Sequence, residues 1–312
     1  MNRFVIGPND AGRRADRFVA KALPHLGAHT VQALFRKKDV KIGRRPLKPA
    51  EHLQEGAVLL VYPPAALPVP AREGADVGEA ALPPVDTAYE DDNLLILWKP
   101  PGLLSQGAPG QDSLEGRGRR LLARRGEPCA ETDGTFAPSL CHRLDRCTEG
   151  LCVMAKNAPA LRDFTERLRG REIRKFYRCL VHGKPRPPRG EMEDFLFKDS
   201  QKRMVYVKPA REPGAKTAVT RYAALSERGP LTLVEAEIVT GRTHQIRAQF
   251  ASRGHPILGD GKYGSLRADK PFAPARTALC AVRLEFAFGS EAGALEYLRG
   301  RVIERYPDWA RE

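Results

Sequence analysis

The sequence predicts an α+β protein: a mixed, mainly antiparallel central sheet preceded by a small basic α/β module. Three observations carry that expectation. Strand-sized apolar runs recur through residues 87–312 without alternating regularly with helices, which argues against a doubly wound parallel sheet. No G-x-G-x-x-G or G-x-x-x-x-G-K-[ST] phosphate loop interrupts them. Residues 63–86 are rich in Pro, Ala and Gly, show neither helical nor strand period, and read as an extended connector. The expected division is a module over 1–62, a linker over 63–86 and a larger unit over 87–312.

In the module, Phe18, Val19, Ala22 and Leu23 have helical spacing, and Pro24 closes that helix. Val31, Leu34 and Phe35 repeat the pattern on a second helix. Val40–Gly43 reads as a short strand and turn, and Ala57–Tyr62 as a buried strand. Between these elements Arg36, Lys37, Lys38, Lys41, Arg44, Arg45 and Lys48 crowd onto a helix end and a hairpin. The module holds 12 Lys or Arg against 5 Asp or Glu, a net of +7. The whole chain of 312 residues has 52 against 38, a net of +14. Half of the excess charge therefore sits in a fifth of the length, which points to a polyanionic partner.

Several classes are excluded or disfavoured. No run approaches the roughly 18 apolar residues of a membrane span, and the first residues lack the apolar segment of a signal peptide. A cytoplasmic protein that does not enter a membrane is expected. The six cysteines form no C-x-x-C pair, so neither a zinc ribbon nor a redox dithiol is suggested, and they are expected as buried thiols. With 42% hydrophobic and 29% charged residues, the chain can build a substantial core.

In the larger unit, Ala88–Glu90 and Leu94–Trp98 read as strands around an Asp91–Asn93 turn, and Leu151–Ala155 as an apolar strand. Ala158–Arg169 is a helix with Leu161, Phe164 and Leu168 on one face. Phe176–Val181, Leu231–Val239 and Leu284–Phe288 are further strands, and Thr243–Arg253 is helical, with Ile246 and Phe250 four apart.

Four segments carry chemistry. Cys141-His142-Arg143-Leu144-Asp145-Arg146-Cys147-Thr148-Glu149-Gly150 leads a turn full of charge into a buried strand. Asp145 there is either a strand-edge carboxylate facing a cleft or one half of a loop ion pair. In Thr240-Gly241-Arg242-Thr243-His244-Gln245-Ile246-Arg247, Gly241 permits a tight approach, Thr243 is placed to cap a helix, and Arg247 lies one turn in. His244 alone reads as a structural histidine, and Arg247 as a helix cation. Arg174-Lys175-Phe176-Tyr177 places Tyr177 among apolar strand residues, where an aromatic usually belongs to the core. Trp98-Lys99-Pro100-Pro101-Gly102-Leu103 is a strand running into a Pro-Gly turn.

Taken together, His142-Arg143-Leu144-Asp145 with Thr148 and Gly150, Lys99-Pro100-x-Gly102-Leu103, Lys175-x-Tyr177 and Gly241–Arg247 resemble, in order, the motifs of the RluA family of pseudouridine synthases. The resemblance spans about residues 87–290. Glu149, Trp98, Gln106 and Cys280 depart from the family's usual Ser, Asn, His and His. The segment from Arg17 to Gly56 looks like the small RNA-binding module named after small-subunit ribosomal protein S-four. The pair of units is similar to the family branch that modifies large-subunit ribosomal RNA.

The resemblance implies isomerisation of uridine to pseudouridine in RNA, with no metal or organic cofactor and with a monomeric enzyme. Asp145 becomes the essential carboxylate, attacking the anomeric carbon or promoting elimination through a glycal. Burial disfavours an ionised carboxylate, so a neighbouring cation is required, and Arg247 is the expected partner. Tyr177 is expected to stack on the target base and to assist proton transfer at ring carbon 5. Arg143 is placed to fill the space that the extruded uridine leaves. Arg36, Lys37, Lys38, Lys41, Arg44 and Arg45 are expected to contact RNA phosphates. Two other functions fit parts of the pattern: a non-catalytic RNA-binding or ribosome-assembly factor, and a metal-dependent hydrolase using Asp145 with His142 or His244.

Overall fold

Two sheets organise the computed structural model, which describes residues 1–63, 83–108, 110–127 and 136–311. Most of the expected linker, residues 64–82, and Cys129 lie outside the described residues. The first sheet belongs to the N-terminal segment. Its elements are β1 (Asn2–Val5), α1 (Ala15–Ala22), α2 (Ala28–Arg36), β2 (Val40–Ile42), β3 (Arg45–Pro46) and β4 (Val58–Val61), with strand order β1-β4-β2-β3. Both helices bury the apolar stripe read from the sequence: Phe18, Val19, Val31, Leu34 and Phe35 pack with Leu59 and Val61. A two-residue Gly43-Arg44 turn joins β2 to β3, and Gly43 takes the left-handed φ of +58° that such a turn requires.

The larger sheet is built from β5 (Asp86–Glu90), β6 (Leu94–Lys99), β7 (Ser139–Leu140), β8 (Glu149–Ala155), β9 (Ile173–His182), β10 (Arg189–Asp199), β11 (Met204–Lys208), β12 (Ala215–Arg228), β13 (Leu231–Ile238), β14 (Leu279–Phe286) and β15 (Val302–Glu304). Its order is β11-β10-β12-β13-β9-β14-β8-β6-β5, with β15 on β14 and β7 on β8. The pairing of β14 with β8 is parallel and the others are antiparallel. The expected mixed, mainly antiparallel sheet is present.

β6 and β8 lack polar alternation because both of their faces are covered. Leu95, Leu97, Cys152 and Met154 join the core beneath α3 (Leu114–Arg124). Leu94, Ile96, Leu151 and Val153 face the opposite core, where Phe164 of α4 (Ala158–Arg169) packs against Phe286. The loop between β1 and α1 is hydrogen-bonded to the first turns of α4. The Ala158 amide donates to Asn9 Oδ1 at 3.1 Å, and Arg162 Nη1 donates to the Ala11 carbonyl at 3.2 Å.

Where β8 meets β14, Gly150 has φ +115°, and a Cβ there would lie 2.2 Å from the Ala281 carbonyl oxygen. Gly150→Ala is therefore expected to cost ~3 kcal/mol or more, since both the backbone angle and the contact are forbidden to alanine. A urea titration of the variant checks this, and an unchanged midpoint would refute it.

Some boundaries differ from those expected. The strand placed at Leu284–Phe288 runs instead over Leu279–Phe286, because Leu279–Ala281 also pair, with β9 and, at Cys280 and Ala281, with β8. The helix expected from Thr243 begins at Gln245, forming α5 (Gln245–Ser252).

Candidate active site

α5 crosses the face of the sheet that carries Tyr177, Cys179 and Val181, burying Ile246 and Phe250 against it. Opposite α5, the turn between β7 and β8 carries Asp145. Several hydrogen bonds fix that turn. Lys99 is fully buried and donates its three ammonium hydrogens to the carbonyls of Pro100 (3.0 Å), Arg146 (3.1 Å) and Thr148 (2.7 Å). Desolvation pushes this lysine down to about 8. Ser105 Oγ donates to the Leu144 carbonyl at 2.7 Å and accepts from the Leu144 amide at 3.0 Å. Gly102 donates its amide to the Arg146 carbonyl at 2.8 Å. The Lys99–Leu103 segment thus acts as the clamp on the turn that holds Asp145.

Asp145, Tyr177 and Arg247 converge on one cavity of about 340 Å³, together with Arg143, Leu144, Lys175, Gly241 and His244. Asp145 Oδ2 lies 3.4 Å from Arg247 Nη1 and 4.0 Å from His244 Nε2, and its side chain keeps 24% of its exposure. The expected pairing with Arg247 is present but long. The principal partner of Arg247 is Asp260, which accepts from Nε at 2.7 Å and from Nη2 at 2.8 Å. This fork is buried on both sides. Desolvation opposes the charge of Arg247, but the Asp260 hydrogen bonds outweigh it and raise the guanidinium further. The same balance leaves Asp260 below the ordinary carboxyl range. A permanent cation is therefore braced from behind and offers its remaining Nη1 to Asp145.

Tyr177 lies in the core cluster with its ring at the cavity wall. Burial, and then the charge of Asp145, push its phenol well above the usual range, so it stays protonated at neutral pH. Arg143 is exposed at the rim. His142 accepts the Val153 amide on Nε2 at 3.2 Å, and desolvation, followed by the charge of Lys175, pushes it down to about 3. It is a structural neutral imidazole. His244 shares a hydrogen bond between Nδ1 and the Tyr263 hydroxyl at 2.8 Å, and burial holds it below its ordinary value.

Two local expectations are corrected. Thr243 does not cap α5: the N-cap is His244, in a left-handed conformation (φ +52°), without a side-chain cap. Gln245, the first residue of α5, instead ties down the preceding turn, accepting from the Arg242 amide at 3.0 Å and from Thr240 Oγ1 at 2.9 Å. Gly241 does not provide a tight backbone approach, since the nearest atom to a Cβ there would be Lys175 Nζ at 3.9 Å.

The six cations expected to contact RNA in the N-terminal segment are not among the residues lining this cavity. Arg36, Lys37, Lys38, Arg44 and Arg45 are exposed, Arg45 being paired with Glu51 at 2.5 Å. Lys41 is half-buried, with Nζ 5.4 Å from the Tyr62 ring centre. Among the described residues no group of three or more His, Cys, Asp or Glu stands at metal-binding distance, and no helix is long and apolar enough to cross a membrane.

Three of the sequence departures meet behind the site. Glu149 is buried, accepts from Trp309 Nε1 at 2.7 Å and pairs with Arg276 at 3.3 Å. It stands opposite Cys280 across β8 and β14. Trp98 and Glu149 line one depression with the C-terminal residues. Arg178 and Arg228 fasten the same residues by donating to the carbonyls of Ala310 and Trp309, each at 2.7 Å.

The sequence matches the family model described as RNA pseudouridylate synthase over residues 93–252. The chain belongs to that family. Among relatives, an uncharacterized RNA pseudouridine synthase of Aquifex aeolicus is 33% identical over 83% of this chain and 79% of its own length. The ribosomal large subunit pseudouridine synthase C of Vibrio cholerae is 32% identical over 92% and 89%. The human RNA pseudouridylate synthase domain containing 4 structure shares the fold, with a TM-score of 0.57 at 24% identity, covering 72% of this chain and 90% of that one. This pseudouridine synthase is accordingly an isomerase acting on RNA, and the resemblance read from its four motifs holds.

Asp260, Lys99 and Gln249 brace the elements around the cavity, and the sequence assigned none of them a role. Gln249 is fully buried and donates to Asp194 Oδ2 at 2.8 Å and to the Met192 carbonyl at 3.1 Å, locking α5 to β10. Two glutamines four apart on α5, both buried, were the available signal: an apolar face interrupted by amides implies a partnered polar seam.

Proposed function

We propose that this synthase isomerises uridine in large-subunit ribosomal RNA, with Asp145 as the essential carboxylate. The observation that carries the catalytic assignment is the convergence of Asp145, Arg247 and Tyr177 on one cavity, with Arg247 braced by Asp260. The bond from the anomeric carbon to ring nitrogen 1 breaks, and a bond from that carbon to ring carbon 5 forms. The proton on carbon 5 leaves and nitrogen 1 gains one, so no oxidant or reductant is consumed. Asp145 serves either by attack on the anomeric carbon or by elimination to a glycal. Tyr177 stacks on the extruded base, and as a protonated phenol it acts as a hydrogen-bond donor rather than as a phenolate base. This narrows the role the sequence allowed it.

The ribosomal substrate rests on two supports: relatives bearing that name over most of both chains, and the concentration of cations in the N-terminal segment. A cytoplasmic location follows from that substrate. Pseudouridine mapping of ribosomal and transfer RNA from cells with and without the gene tests the assignment. Loss of a site in large-subunit RNA is expected, and loss confined to transfer RNA overturns it.

The N-terminal segment, read as a separate RNA-binding module, gives a second test. Removing residues 1–62 is expected to weaken binding to ribosomal RNA. The slope of log affinity against log salt is expected to fall by about 0.7 for each phosphate that the shortened protein no longer neutralises. An unchanged slope, measured by filter binding over a salt series, would exclude the proposed role.

A further inference from the structure

Beside the active-site cavity runs a second groove, of about 400 Å³, between the C-terminal end of α4 and β13. The two spaces adjoin: Leu168, Lys175, Ile238 and Gly241 line both. The walls of the groove are strongly cationic, with Arg169, Arg171, Arg174, Lys175 and Arg221 facing one carboxylate, Glu237. That carboxylate is already taken. Arg174 donates to it at 2.8 and 3.0 Å, and Arg221 approaches at 3.9 Å.

The other cations are left unsatisfied. Arg169 and Arg171 are exposed, and neither side chain makes a hydrogen bond or ion pair among the described residues. Arg171 sits at φ +61°, a left-handed position where glycine would be unstrained. Lys175 is a partly buried ammonium with no carboxylate beside it, and desolvation pushes it down to about 8. Gly241 leaves its Nζ uncovered toward the shared mouth, because a glycine puts no side chain over it.

We infer that this groove binds the phosphates of the RNA strand on one side of the target uridine, with Lys175 at the mouth and Arg169 and Arg171 further out. The inference rests on the reading of the cavity as the uridine site. A strand whose base enters that cavity must leave it past Lys175 and Gly241, and the groove is what it meets. Three cations along one groove suit a phosphate backbone in charge and demand no base identity. The surface therefore supplies affinity and strand direction, leaving base selection to the cavity.

Binding of the full chain to oligouridylates tests this, with short ones that fill the cavity compared with long ones that extend beyond it. The probe is independent of which cellular RNA is modified, so failure of the ribosomal assignment would leave this test intact. In the wild type, affinity is expected to rise with length. In Arg169→Gln/Arg171→Gln, the gain with length is expected to shrink, and the salt slope for the long probe to fall by about 1.4. Binding of the shortest probe stays as in the wild type. Arg169→Glu/Arg171→Glu is expected to remove the gain altogether. Lys184→Gln/Lys270→Gln, an equal loss of net charge elsewhere, retains both gain and slope. The proposal is overturned by an unchanged length dependence in the groove variants. It is equally overturned by an equal loss for short and long probes, or by the same loss in the Lys184/Lys270 control. Because all four side chains are exposed, and the one ion pair that Lys184 makes, with Glu227, lies on the surface, unchanged thermal unfolding is expected in all these variants.

Discussion

Asp145→Asn is expected to abolish pseudouridine formation, by at least ~10⁴-fold, while the protein folds and still binds RNA. The size follows from removing the group on which both candidate routes depend. Survival of the fold follows from the geometry. Asp145 is a quarter exposed, its contact with Arg247 is 3.4 Å, and Arg247 is held mainly by Asp260. A partly solvated pair of that length contributes ~1 kcal/mol or less. Turnover is read as tritium release from carbon 5 of labelled RNA, and folding as thermal unfolding. A variant within tenfold of wild-type activity would remove Asp145 from the mechanism, and loss of folding would show its role to be structural.

The second large effect is expected at Asp260, which never reaches the substrate. Asp260→Ala leaves the buried Arg247 guanidinium without its two strongest hydrogen bonds and frees the amides of Lys262 and Tyr263, which Asp260 also accepts. Stripping one member from a buried pair costs ~3–5 kcal/mol. Activity is expected to fall ~10²-fold at temperatures where the variant is folded, since Arg247 loses its aim on Asp145. The pair also has a pH signature. Burial raises the Asp260 carboxyl and Arg247 lowers it, with the net result below its ordinary 3.8. Its stabilising contribution is therefore fully present above the unfolded value and is lost as pH falls through the lower folded value. The wild type loses stability along that acid limb, and Asp260→Asn flattens it. Denaturant midpoints across the acid range provide the comparison, and parallel wild-type and variant curves would show that the fork contributes nothing.

The strands buried on both faces were the most legible part of the fold. Leu94–Trp98 and Leu151–Ala155 are apolar at each step, and α4 shows its stripe from Ala158 to Arg169, because burial there acts on whole runs. β10 and β12 are hard to read because their sequences are charged: Glu191 and Arg221 become sensible only once the strands lie side by side and pair them. α3 was hidden by Gly116 and Gly118, which look like breakers. A Cβ on Gly118 would come within 2.8 Å of Met154, so the glycine lets the helix sit close on the sheet. In the site, Asp145, Tyr177 and Arg247 were legible through ordered motifs. Asp260 was not, since no local spacing ties it to Arg247, thirteen residues earlier. Lys99 stood in a recognised segment, but its burial depends on carbonyls up to 49 residues away. His244 stands where the capping argument placed Thr243, because a left-handed turn at the helix start cannot be read from residue type.

The indole of Trp309 on Glu149 joins the segment after β15 to the strand that begins four residues after Asp145. The turn that carries Asp145 therefore has a distant anchor. A change that loosens residues 305–311 is expected to disturb the strand beside Asp145, so an assay of such a variant reports on the anchor as much as on the chemistry.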